Sequence, residues 1–91
     1  MYDLRFTDDA EADMFRLQKS GDIKAFDRLI LLLEEIRIHP KKGIGRPKRL
    51  KHLPGNQWGR RITRKHRLVY EIFENTISIE IQQAWGHYDD K

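Results

Sequence analysis

An α+β domain is what this sequence predicts: two N-terminal helices packed on one face of a small, mostly antiparallel, twisted sheet, in the order β-α-α-β-β-β. Three observations carry that reading. Apolar residues recur at helical spacing only between Ala10 and Ile36, and they alternate with polar ones at residues 2–6 and again after Gln57. Short turns, Thr63-Arg64-Lys65 and Glu74-Asn75, separate the later strands as hairpins do. With 91 residues, folding hides roughly 60–65% of the unfolded chain's surface, enough for one core, so residues 1–91 are expected to form a single domain.

Taken in order, Tyr2, Leu4 and Phe6 alternate with Asp3 and Arg5, which predicts a short half-buried strand. Thr7 can cap a first helix whose opening turn carries Asp8, Asp9 and Glu11 against the positive end of the helix dipole. Ala10, Met14 and Leu17 form its apolar stripe, and Ser20-Gly21 stops it. Asp22 can cap a second helix, with Ile23, Phe26, Ile30, Leu33 and Ile36 at helical spacing. Leu29, Leu31 and Leu32 widen that stripe enough to pack on both the first helix and the sheet, or to leave apolar surface for a second copy or a partner. His39-Pro40 ends the helix. Residues 41–54 are broken by Gly43, Gly45, Pro47 and Pro54 into an irregular basic connector. Gln57–Ile62 and His66–Glu74 read as strands around a Thr63-Arg64-Lys65 turn. Thr76–Ala84, with Ile77, Ile79 and Ile81 alternating, reads as the last strand after a Glu74-Asn75 turn.

Charge is divided unevenly. Residues 1–40 hold six Lys/Arg against nine Asp/Glu, and residues 41–91 hold twelve against five. From Lys41 to Arg67 there are eleven basic residues and no acidic one. Like charges held close together weaken a fold, so such a stretch within an ordered domain points to a polyanionic ligand. The chain has no cysteine, which excludes disulfides, thiolate nucleophiles and thiolate metal sites. His39, His52 and His66 lie far apart, and no metal site or cofactor is expected. The longest aliphatic run, Leu29–Leu33, is far too short to cross a membrane, and Met1-Tyr2-Asp3-Leu4 lacks the pattern of a secretion signal, so the expected location is the cytoplasm. No phosphate-binding loop, dinucleotide fingerprint or serine elbow is present.

One local feature is sharper. A hairpin centred on Arg64 sets Arg61 opposite Arg67 on the same sheet face. Two cations directly opposite are destabilising, and such a pair is tolerated where guanidinium forks share an anion such as a phosphate, unless carboxylates relieve it. His87 and Tyr88 end the last strand of the same sheet. An imidazole there can protonate a leaving oxygen, and a tyrosine can stack on a base.

The run Gly43-Ile44-Gly45-Arg46-Pro47, then Leu50-Lys51-His52, Trp58, Arg60-Arg61-Ile62-Thr63, His66-Arg67-Leu68-Val69-Tyr70 and Gly86-His87-Tyr88, resembles the YoeB (Txe) toxins of the RelE superfamily. The resemblance implies a RelE-like fold and a ribosome-dependent messenger RNA endonuclease, silenced by an antitoxin encoded beside it. Its chemistry would be metal-free: the ribose 2′-OH attacks its own phosphate, leaving a 2′,3′-cyclic phosphate and a 5′-OH. By the same resemblance Arg61 and Arg67 bind the phosphate, Lys51 is the active-site lysine, His87 the general acid and Tyr88 the terminal tyrosine. Lys42, Arg46, Lys48 and Arg60 are expected to contact RNA. The expected partners are the ribosome, messenger RNA, an acidic antitoxin segment that folds as it docks, and a second copy of the chain.

One position departs. Where these toxins carry Pro-Glu, with the glutamate as proposed general base, this chain has Pro47-Lys48. Taking the proton from an ordinary lysine at pH 7.5 costs roughly 4 kcal/mol, which leaves the base unassigned. Two alternatives stay open: a gyrase-poisoning protein like the related ParE toxins, and an RNA-binding homologue that no longer cuts.

Overall fold

A computed structural model describes residues 1–86. His87 and Tyr88 lie outside the described residues. The elements are β1 (Asp3–Phe6), α1 (Asp8–Lys19), α2 (Ile23–Ile36), β2 (Lys48–Arg49), β3 (Gln57–Arg61), β4 (Arg67–Phe73), a 3₁₀ turn (Glu74–Thr76) and β5 (Ser78–Gln83). They build one five-stranded sheet in the order β1-β5-β4-β3-β2, antiparallel except where β1 runs parallel to β5.

Both helices start as expected. The Thr7 hydroxyl accepts from the Ala10 amide, and the Asp22 carboxylate accepts from the Ala25 amide. Both pack on one face of the sheet, where Leu17, Leu29, Leu32 and Ile36 meet Leu68, Tyr70, Ile72, Ile79 and Ile81 in a single core. Burial of these side chains, each contributing roughly 1.5–3 kcal/mol, is the main force holding helices to sheet.

Three expectations need correcting. The buried stripe of α2 is Ala25, Leu29, Leu32, Leu33 and Ile36, whereas Ile23 and Ile30, predicted to lie on it, are 73% and 37% exposed. Five consecutive aliphatics leave the phase of a helix undetermined, because any of several stripes through them is apolar. The last strand begins at Ser78, not Thr76: Ile77 sits in the left-handed region at φ 50° and is 55% exposed. The connector is not uniformly irregular either. Lys48–Arg49 pairs with β3 as an edge strand, and the Arg61 amide donates to the Gly45 carbonyl at 2.7 Å, seating the glycine-rich loop against the sheet.

Alternation divides β3 and β4 between two faces. Arg60 pairs with Leu68 and faces the helices, while Arg61 pairs with Arg67 and faces away from them. Gly59 shares the second face, opposite Val69 on one side and Lys48 on the other.

Candidate RNA-binding groove

On the face away from the helices, an open groove of about 880 Å³ runs along β2, β3 and the start of β4. Arg46, Lys48, Arg49, Lys51, Arg61 and Arg67 line it, with His52 beside them and Arg60 at its floor, and no carboxylate lines it among the described residues. The sequence placed the cross-strand pair correctly. Arg61 and Arg67 are register partners at the open end of the hairpin. The turn that fixes this register is held by Thr63, whose hydroxyl accepts from the Lys65 and His66 amides, both at 3.1 Å.

Small residues make room for the long cations. A Cβ at Gly59 would stand 3.1 Å from Arg67 Cδ and 3.5 Å from Leu50 Cδ2, so the Arg67 stem crosses directly above this glycine. Arg46 supports the groove from a left-handed backbone conformation at φ 53°, a posture a non-glycine residue holds only when its surroundings fix it. Lys48 lies opposite Gly59 in the register, which puts it on the groove face with Arg61 and Arg67. Lys51 and His52 are exposed in the turn that follows β2.

Arg60 touches the groove, but its charged head is not offered to it. It is 1% exposed, and its guanidinium donates entirely into the protein. Nε donates to the Tyr70 hydroxyl at 3.0 Å, Nη1 to Glu35 Oε1 at 2.6 Å and to the Ile44 carbonyl at 3.1 Å, and Nη2 to the carbonyls of His39 and Lys42. The Tyr70 hydroxyl in turn donates to the Pro40 carbonyl at 2.7 Å. Contact with RNA is closed to a side chain so occupied. What it does instead is tie residues 39–44 to α2 and β4, so that the groove-lining loop has a fixed base. Burial opposes ionisation of Glu35, but the Ile44 amide and the Arg60 guanidinium overcome it and hold the carboxyl below the usual range. Lys42 is exposed yet outside the groove lining; its carbonyl is what the network uses.

Glu71 and Glu80, the acidic residues nearest the groove in the sheet, are register partners bridged by one amide. Gln82 Nε2 donates to both, at 3.1 and 3.0 Å. Neither lines the groove. Arg49 and His52 are groove residues that the sequence reading did not assign to the site. A two-residue strand carries no periodicity from which to place Arg49.

The sequence and the fold have counterparts among known proteins. The family model described as YoeB-like toxin of bacterial type II toxin-antitoxin system matches residues 6–88. The chain belongs to the YoeB-like toxin family. It is 34% identical over 88 residues to Toxin YoeB of Mycobacterium bovis, covering 97% of this chain and all of that protein. A YoeB dimer from Staphylococcus aureus superimposes with a TM-score of 0.79 at 34% identity, covering 96% of this chain and 98% of that one. A YoeB-YefM complex from the same organism gives 0.77 at 32%, covering 97% and 99%. YoeB-like toxins are endoribonucleases, which makes this chain an enzyme by class.

Proposed function

We propose that this YoeB-like toxin cuts messenger RNA on the ribosome, by attack of a ribose 2′-OH on the adjacent phosphate, and that it does so with side chains alone. The observation that carries this reading is the Arg61–Arg67 pair, register partners in a groove that, among the described residues, is lined by arginines and lysines and by no carboxylate. Two guanidiniums converging from adjacent strands suit a dianionic phosphorane better than its monoanionic ground state, which is how such a pair accelerates a reaction. Lys51, at the groove's edge, adds a third positive charge to the same phosphate. His87 would protonate the departing 5′-oxygen and Tyr88 would steady the base or phosphate. Both follow Gly86, whose carbonyl is held by the Arg67 amide at 3.0 Å. Arg46, Lys48 and Arg49 would carry the flanking phosphates. A lining this cationic disfavours a divalent ion beside the scissile bond, in keeping with a metal-free mechanism.

The partners follow the same chemistry. An acidic antitoxin segment that folds as it docks would mask Arg61 and Arg67. Exposed Ile23 and Leu31 on α2, 73% and 53% accessible, offer apolar surface for that partner or for a second copy. The complex and dimer of the Staphylococcus relatives support both. No helix among the described residues is long and apolar enough to cross a membrane, and the cytoplasm, where ribosomes are, is the proposed location.

The deciding experiment is cleavage of a translated messenger on purified ribosomes, with the ends of the product identified. A 2′,3′-cyclic phosphate and a 5′-OH are expected, and concentrated free RNA should be cut in EDTA. Salt-sensitive ribosome binding without any cut would instead favour a binding protein, a reading that Lys48 in place of the usual glutamate supports. Neither binding nor cutting would sink both.

A further inference from the structure

The segment from Ala84 to Gly86 is fastened more firmly than a strand end requires. The Ala84 amide donates to Asp13 Oδ2 of α1 at 3.0 Å. The Trp85 ring meets both the Arg16 guanidinium, 4.2 Å from its centroid, and the His66 ring, with centroids 4.1 Å apart. Gln83 Nε2 donates to the Trp85 carbonyl at 3.0 Å. Gly86, at φ +111°, has both its backbone groups engaged: its carbonyl accepts from Arg67, and its amide donates to His66 Nδ1 at 3.1 Å. His66 therefore immediately precedes a groove arginine and grips the residue just before His87.

We infer that His66 is a positioning residue, which in its neutral form holds Gly86 by accepting the Gly86 amide at Nδ1 and so fixes the backbone from which the chain runs on to His87, and which releases that grip when it is protonated. The inference rests on the proposed role of His87. Its chemistry is simple: an imidazole accepting at Nδ1 carries its proton at Nε2, and a second proton can go only onto Nδ1, where it removes the acceptor and sets one N–H against another. The charged groups facing His66 are Lys65 in its own turn, Arg64 beside it, Asp13 and Arg16 from α1, and Asp22 at the start of α2. Burial, then Lys65 and Arg16, hold its pKa below the ordinary histidine value, against the opposing pull of Asp22 and Asp13. The neutral, gripping form consequently prevails at neutral pH, and the grip is lost as pH falls below the usual histidine range. A positioning error of about 1 Å at a reacting group can cost roughly 10²-fold in rate.

Two measurements test this. Amide exchange in the free protein, read by NMR, should find Gly86 protected at neutral pH and losing protection along the His66 titration curve. His66→Leu should leave Gly86 unprotected at every pH, whereas His66→Asn, with an acceptor oxygen near the place of Nδ1, should restore protection without titrating. Gly86 exchange indifferent to His66 in all three proteins would overturn the inference. In single-turnover cleavage, His66→Leu should lower the rate about 10²-fold with KM little changed, and His66→Asn should recover most of that loss and move the acid limb of the profile to lower pH. Equal rates and an unmoved acid limb would also overturn it. Failure of the wild type to cut at all counts against the nuclease reading, while the exchange experiment still decides whether His66 holds Gly86.

Discussion

Replacing Arg60 by methionine separates a scaffold arginine from its groove neighbour Arg61. The substitution keeps most of the apolar stem and removes a guanidinium that is wholly enclosed. It strands the Glu35 carboxylate, which loses its 2.6 Å ion pair, and takes donors from the Tyr70 hydroxyl and from the carbonyls of His39, Lys42 and Ile44. Breaking a fully buried pair from one side costs about 3–5 kcal/mol; with Glu35 28% exposed and open to water, about 2–3 kcal/mol is expected here, out of a total stability of about 5–15 kcal/mol for a domain of this kind. Arg61→Ala, by contrast, removes one of two like charges set opposite each other and should change stability by less than about 1 kcal/mol. Urea unfolding of the two variants at neutral pH provides the comparison, with RNA affinity measured below the transition. Arg60→Met should lower the midpoint sharply while its folded fraction binds RNA with unaltered salt dependence, and Arg61→Ala should do the reverse. If Arg60→Met unfolded like wild type but weakened RNA binding, the assignment of Arg60 to the scaffold would be wrong.

Neutralising four phosphates of single-stranded RNA predicts a log–log salt slope of roughly −2.8, or about sevenfold weaker binding per doubling of salt; a slope near zero would remove the groove as the binding surface. Lys48→Glu returns a carboxylate to the place opposite Gly59 and should raise the single-turnover rate by roughly 10²–10⁴ if the ordinary base has been lost. A fall in rate would instead make Lys48 a working part of the site. Because the Glu35 carboxyl is held below its usual range in the folded state, its contribution is complete above that range and disappears as pH falls through the lowered value. Glu35→Gln should therefore flatten the acid side of the stability curve, and an unchanged acid midpoint would contradict this.

Alternation and spacing explain which parts of this architecture were legible beforehand. The Arg61–Arg67 pair followed from a hairpin centre and a period of two, both written in the sequence. The same period, applied one residue further, turns the Arg60 guanidinium away from the groove face, since neighbours in a strand face opposite ways; its place in a basic run concealed this. Glu35, the partner that makes burial of Arg60 affordable, stands 25 residues away with no local signal joining the two. The phase of α2 was hidden by too many aliphatics, whereas Thr7 and Asp22 announced their helix starts because capping is local chemistry. Ile77 continued an alternating pattern that its left-handed backbone interrupts, a tertiary choice that periodicity does not record.

The two faces of β3 and β4 also explain how so concentrated a positive charge remains foldable. Repulsion within the groove is a standing cost, and sheet registers prone to slip would relieve it by rotating an arginine away. A slip of one residue here would carry Arg60 out to the groove and Arg61 into the core. Arg60 would then leave Glu35 unpaired, and Tyr70 would lose its donor. The Arg60–Glu35 ion pair therefore serves the groove from behind, because the register that satisfies Arg60 is the one that brings Arg61 and Arg67 together. Specification of this kind predicts a directional dependence: losing Arg60 or Glu35 should destabilise the scaffold on which the groove stands, and losing Arg61 or Arg67 should leave that scaffold intact.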